Sequence, residues 1–148
     1  MTFAQPLRLL LPLLMALTLS PAFALDLVTA EEAGRPDVPF GTRGVTRGPR
    51  ITQELPAKDG AAVRAPLQLK VGLKAMGGAR IDVSTLQVTY LKKPSVDLTP
   101  RLRAGISDGG IELSGVSVPP GQHRLLVRVA DSEGRESETV VQLNVAAP

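Results

Sequence analysis

The stretch PLQLKVGLK, residues 66–74, sets Leu67, Leu69, Val71 and Leu73 in alternation with Gln68, Lys70, Gly72 and Lys74. Successive side chains of an extended chain point to opposite faces, so this pattern describes a strand with one dry face and one wet one. The same period returns downstream. Leu86, Val88 and Tyr90 carry it in TLQVTY, Leu125, Val127 and Val129 in HRLLVRVA, and Val141, Leu143 and Val145 in TVVQLNV. Ile51, Gln53 and Leu55 give a weaker opening strand, and Ile111 with Leu113 a short one. Turn-forming clusters separate the runs: PAKDGAA, AMGGA, SDGG, VPPGQ and DSEGR. No long window keeps helical spacing. The spacing predicts an all-β fold, a single antiparallel β-sandwich of about seven strands over residues 49–148.

Upstream of the alternating region the chain changes character twice. Residues 1–24 carry one charge, Arg8, ahead of the apolar run LLLPLLMALTL and the ending SPAFA. Ala22 and Ala24 are the small residues a signal peptidase reads, so the expected cut lies between Ala24 and Leu25. The apolar run is shorter than the roughly 20 residues of a membrane span, and Pro12 interrupts it. Export to a periplasmic or secreted location is expected, with no stable membrane span after cleavage.

Residues 25–48 have neither period and read as an extended, flexible basic arm. Thr29 and Glu32 have the spacing of a capping box, which allows one helical turn before Gly34 and Pro36 stop it. Beyond that turn Arg35, Arg43, Arg47 and Arg50 stand against Asp37 alone. The arm is a linker, or a tail that pairs with an acidic partner. Val38, Phe40 and Val45 leave a third reading open, an irregular edge packed along the domain.

Charge and composition exclude more than they identify. The 148-residue chain has a net charge of +3, which loss of Arg8 lowers to +2, too little to imply nucleic acid or a membrane surface. There is no cysteine, so stability must come from a hydrophobic core rather than disulfides. Tryptophan is absent, and after cleavage Phe40 and Tyr90 are the remaining aromatics, which argues against stacking platforms for sugars or single-stranded nucleic acid.

The stretch ARIDVSTLQVTY, residues 79–90, resembles the I-D-x-S-T-L-x-V entry into a middle strand of bacterial immunoglobulin-like domains. VPPGQHRLLVRVADSEGR, residues 118–135, is similar to their P-x-G-x-Y-x-L-x-V-x-V-x-D-x-x-G ending. The resemblance spans about residues 49–146 and implies an immunoglobulin-like sandwich, a fold used for spacers, adhesion modules and enzyme appendages. His123 stands where that family usually has tyrosine.

The polar residues of these segments have structural readings. Asp82 and Ser84 are placed to bond backbone amides ahead of a strand beginning near Thr85. Asp131 with Gly134 fits a hairpin loop closed by the carboxylate, with Gly134 left-handed. A calcium ion at Asp131 and Glu133 is the alternative, but calcium takes about six to eight oxygens. His123, the sole imidazole, shares the parity of Leu125 and is expected to face the core and bond a backbone carbonyl. Without a thiol, a second histidine or a phosphate loop, no cofactor or metal is expected and the chain is read as not an enzyme. The exception would be a cleft in which Asp97, Asp108 and Glu112 converge.

One cluster remains, YLKKPSVDLTPRLR at residues 90–103. Pro94 and Pro100 deny backbone donors, which suits a crossing between sheets in which Lys92, Lys93, Arg101 and Arg103 are solvated and Asp97 pairs with Arg101 or bonds loop amides. The functional reading makes Lys92, Lys93, Asp97, Arg101 and Arg103 a binding rim, joined by Arg43, Arg47 and Arg50 of the arm. The expected function is a non-catalytic exported interaction module, monomeric, that binds another envelope protein by strand addition or charge pairing. The alternative is a binder of a small anionic ligand or anionic polymer through Lys and Arg loops.

Overall fold

The computed structural model describes residues 24–41 and 46–148, so the signal-peptide reading of residues 1–23 and the expectations for Arg43 and Val45 lie outside the described residues. In chain order the elements are β1 (Leu25–Asp26), α1 (Ala30–Ala33), β2 (Arg50–Leu55), β3 (Leu67–Lys74), β4 (Ile81–Tyr90) and β5 (Val96–Asp97). They continue with α2 (Thr99–Leu102), β6 (Ile106–Ser107), β7 (Gly110–Ser117), β8 (Gly121–Asp131) and β9 (Glu136–Val145).

Alternating side chains force a two-layer solution. One sheet runs β1-β7-β3-β2, with β6 also on β7; the other runs β5-β4-β8-β9. Every pairing between named strands is antiparallel except β1 with β7, which is parallel. Leu67, Leu69, Val71 and Leu73 of β3 are all buried, as are Leu125, Val127 and Val129 of β8 and Val141, Leu143 and Val145 of β9. Burying each such side chain stabilises the fold by about 1.5–3 kcal/mol, and these inward rows form one core between the sheets. The sandwich read from the period-two pattern is therefore the fold.

Successive strand pairs alternate between sheets, and glycine makes two of the necessary geometries. Gly77 and Gly78 both have positive φ, with Ala79 N–H donating to Met76 O at 3.2 Å, in the tight turn that carries the chain from β3 to β4. Gly110 opens β7 where a Cβ would collide with the Val71 carbonyl oxygen of neighbouring β3.

The strand expected to begin near Thr85 begins at Ile81. Asp82 and Ser84 lie inside β4, at a register shift against β8 between Asp82 and Gln87. The carboxylate still accepts the Ser84 amide, and Thr85 Oγ1 bonds both Asp82 O and the Ala130 amide, so the hydroxyl bridges the irregular ladder.

Within the arm 25–48, residues 25–38 make contacts along the domain, the irregular-edge reading the sequence left open. Leu25 and Asp26 pair with Val116 and Ser117, and Leu27 and Val28 enter the core. The capping box is complete, since Thr29 Oγ1 accepts the Glu32 amide and Glu32 Oε2 accepts the Thr29 amide. Further on, Val38 N–H donates to Leu91 O and Val38 O accepts from Arg124. The arm is an irregular strip along the domain because two apolar side chains and several backbone groups find partners there.

On the flank where β2 and β9 approach each other, side chains and a loop close the strand edge. The Gln53 amide accepts from the Gln142 N–H at 3.0 Å and donates to the Gln142 carbonyl at 2.8 Å, filling the place of a neighbouring strand. Val63, in the β2–β3 connection, likewise bonds Asn144 O and the Ala146 amide.

Candidate functional site

The cations of residues 92–103 do not form one surface. Lys92 was expected to be solvated and is 6% exposed. Its Nζ lies 2.8 Å from Asp37 Oδ1 and 5.7 Å from the centre of the Tyr90 ring, so its charge is met by the arm and by the negative face of the ring. Arg101 is spent in the same way. Its guanidinium binds both carboxylate oxygens of Glu32 at 2.8 Å and also donates to Leu27 O at 2.9 Å. The Arg101 hydrogen bond, aided by the Thr29 amide, outweighs the desolvation of Glu32 and lowers its pKa to about 2. Asp97 bonds the Thr99 amide rather than Arg101, because the chain turns into α2 directly after β5. Lys93 and Arg103 are exposed. Two of the four cations thus hold the arm onto the domain and two face solvent.

The sole imidazole is built into the core. His123 is buried, with Nε2 at 2.7 Å from Pro119 O and Nδ1 at 2.8 Å from Tyr90 Oη. A carbonyl can only accept, so Nε2 carries the hydrogen and Nδ1 of the neutral ring accepts from the Tyr90 hydroxyl. Desolvation holds the His123 pKa below its usual value, and burial also pushes the Tyr90 hydroxyl up to about 12. Both groups stay neutral at physiological pH, with their polar atoms satisfied.

Asp131 is likewise occupied. Desolvation would raise its pKa, but the Arg135 and Glu133 amides on Oδ1 and the Arg135 guanidinium on Oδ2 lower it instead. The calcium alternative would need those oxygens released. Gly134 has φ of +77°, the left-handed conformation expected of it. Among the described residues no three histidine, aspartate or glutamate side chains are grouped to hold a metal ion, and no helix is long and apolar enough to cross a membrane.

Two concavities among the described residues are large enough to take a ligand. The smaller, about 400 Å³, lies among the β2–β3 connection, the start of β8 and the end of β9, with Asp37, Lys58 and Arg124 on its wall. The larger is an open groove of about 950 Å³ between the start of β2 and the start of β9. Arg47, Arg50, Arg128 and Arg135 line it, with Ile51 and Met76 as apolar surface. Asp97, Asp108 and Glu112 line neither.

The four arginines of the groove differ in what they already hold. Arg128 pairs with Glu138 at 3.0 Å, and Arg135 pairs with Asp131 and Glu133. Arg47 and Arg50 are exposed and have no ion pair among the described residues. The structure therefore brings two of the sequence-expected arm cations to the groove, and separates them from Lys93 and Arg103. Sequence reasoning missed Arg128, Arg135 and Met76. The outward parity of Arg128 was visible, but nothing local says that β2 of one sheet and β9 of the other come together.

No family model, no curated protein and no solved structure matches this chain.

Proposed function

We propose that the chain is a non-catalytic exported module of the immunoglobulin-like kind, whose groove between β2 and β9 docks another envelope protein by charge pairing. One contrast carries the reading. Lys92 and Arg101 of the basic cluster are consumed inside the fold, whereas Arg47 and Arg50 line a ligand-sized concavity with no ion pair among the described residues. The order of strands in the two sheets and the carboxylate-closed β8–β9 hairpin support the immunoglobulin-like assignment. The double engagement of His123 supports a non-catalytic role, since a general base needs a free lone pair aimed at substrate.

Photo-crosslinking in the producing cell tests this. A reactive residue at position 47 or 50 should give one discrete protein adduct, and the same residue at 103 should not. Identical adducts from all three positions would remove the groove from consideration. Amino-terminal sequencing of the recovered protein should begin at Leu25; recovery of an uncleaved chain would overturn export by signal cleavage.

A further inference from the structure

The groove's chemistry also says what kind of segment fits it, given the docking role proposed above. We infer that its occupant is an acidic peptide segment of the partner, with carboxylates facing Arg47 and Arg50 and an apolar side chain between them over Ile51 and Met76. Three observations select this occupant.

First, the available charge is guanidinium, which forks onto planar carboxylates with two parallel hydrogen bonds. Second, the cations are not alone. Glu136 is exposed on the wall, and a uniformly anionic polymer would bring a charge against it. A peptide can place a neutral residue there. Third, the groove also offers apolar surface: Met76 is 38% exposed, and Ile51 lines the same groove. A polyanion gains nothing from that surface, whereas an apolar peptide side chain is taken out of water by it.

The mode is set by the strand edge. Partner recognition by strand addition needs a row of free backbone groups, but further along β9 the groups of Gln142 and Asn144 are taken by Gln53 and Val63. A peptide is stopped from extending the sheet past the groove, so its side chains provide the recognition.

Fluorescence anisotropy with the whole mature chain tests the inference. The probe is a labelled synthetic decapeptide of alternating Glu and Gly with one central Leu; the competitors are the same peptide with Ser for Leu, and inorganic polyphosphate. Binding of the Leu peptide should weaken at least about 10-fold in the R47A/R50A double variant and remain unchanged in K93A/R103A. The Ser peptide should bind at least about 5-fold more weakly than the Leu peptide. Equal binding of the Leu and Ser peptides, or polyphosphate competing more strongly than the Leu peptide, would overturn the acidic-apolar segment while leaving a charge-based groove. Peptide binding unchanged by R47A/R50A, together with identical crosslinking adducts from positions 47, 50 and 103, would overturn groove and segment together. Circular dichroism of R47A/R50A should match the parent, since both side chains are exposed.

Discussion

The Tyr90 hydroxyl donates to His123 Nδ1 across 2.8 Å inside the sandwich, joining the end of β4 to the start of β8. Removing the hydroxyl by Tyr90→Phe leaves Nδ1 buried without a donor. The expected cost is about 1–3 kcal/mol, read as a lower urea midpoint with unchanged slope.

The same pair sets a pH response. The His123 pKa is lowered by burial, so the unfolded chain binds the proton more readily. Stability is then full above the ordinary imidazole pKa of about 6.5 and declines as pH falls below it. Urea midpoints measured from pH 7.5 to 5 should fall, and His123→Gln should flatten the slope. A flat profile in the parent protein would contradict the buried neutral ring.

A second acid response belongs to Glu32 and lies lower. Its pKa of about 2 is below that of an unfolded glutamate, so its contribution is intact above roughly pH 4.3 and is lost as pH falls from there toward 2. Arg101→Ala should remove this response and expose the arm. Endoproteinase Glu-C should then cut after Glu31 or Glu32 ahead of sites in the sheets, at a stability loss of about 1–3 kcal/mol.

Gly110→Ala places a methyl group against the Val71 carbonyl at a φ of +137°. Because the neighbour is backbone in the adjacent strand, β7 and β3 must separate. A loss of more than about 2 kcal/mol is expected in thermal unfolding. The open positive-φ site Gly60 is the comparison, where alanine costs about 1 kcal/mol from backbone strain alone.

Gln53→Ala should act on association more than on folding. It uncovers the Gln142 N–H and carbonyl on the β9 edge, so light scattering should show concentration-dependent self-association while the unfolding free energy changes by about 1 kcal/mol or less.

The sandwich was legible because burial follows local parity: Leu67 to Leu73 and Leu125 to Val129 declare their dry faces without knowledge of their neighbours. His123 could be placed for the same reason. The arm was harder. Leu27 and Val28 lie two residues from the expected cleavage point in a segment with no period, and only the acceptor surface on β7 makes them core. Lys92 and Arg101 look like site residues in sequence because their partners, Asp37 and Glu32, lie 55 and 69 positions away. The groove was least legible, since its walls belong to different sheets and its charge is set by which arginines remain unpaired.

The strand order has a bearing on how the domain is made. β3 pairs with β7, and β4 with β8, each across a stretch that includes strands of the opposite sheet. Neither layer can be completed while the carboxy-terminal third is missing, so a nascent chain holds its hydrophobic rows uncovered until β8 and β9 arrive. Closing such distant pairs is slow, on the order of milliseconds to seconds for sandwiches of this kind. The interval before closure, rather than the finished domain, is where a chaperone would find something to hold.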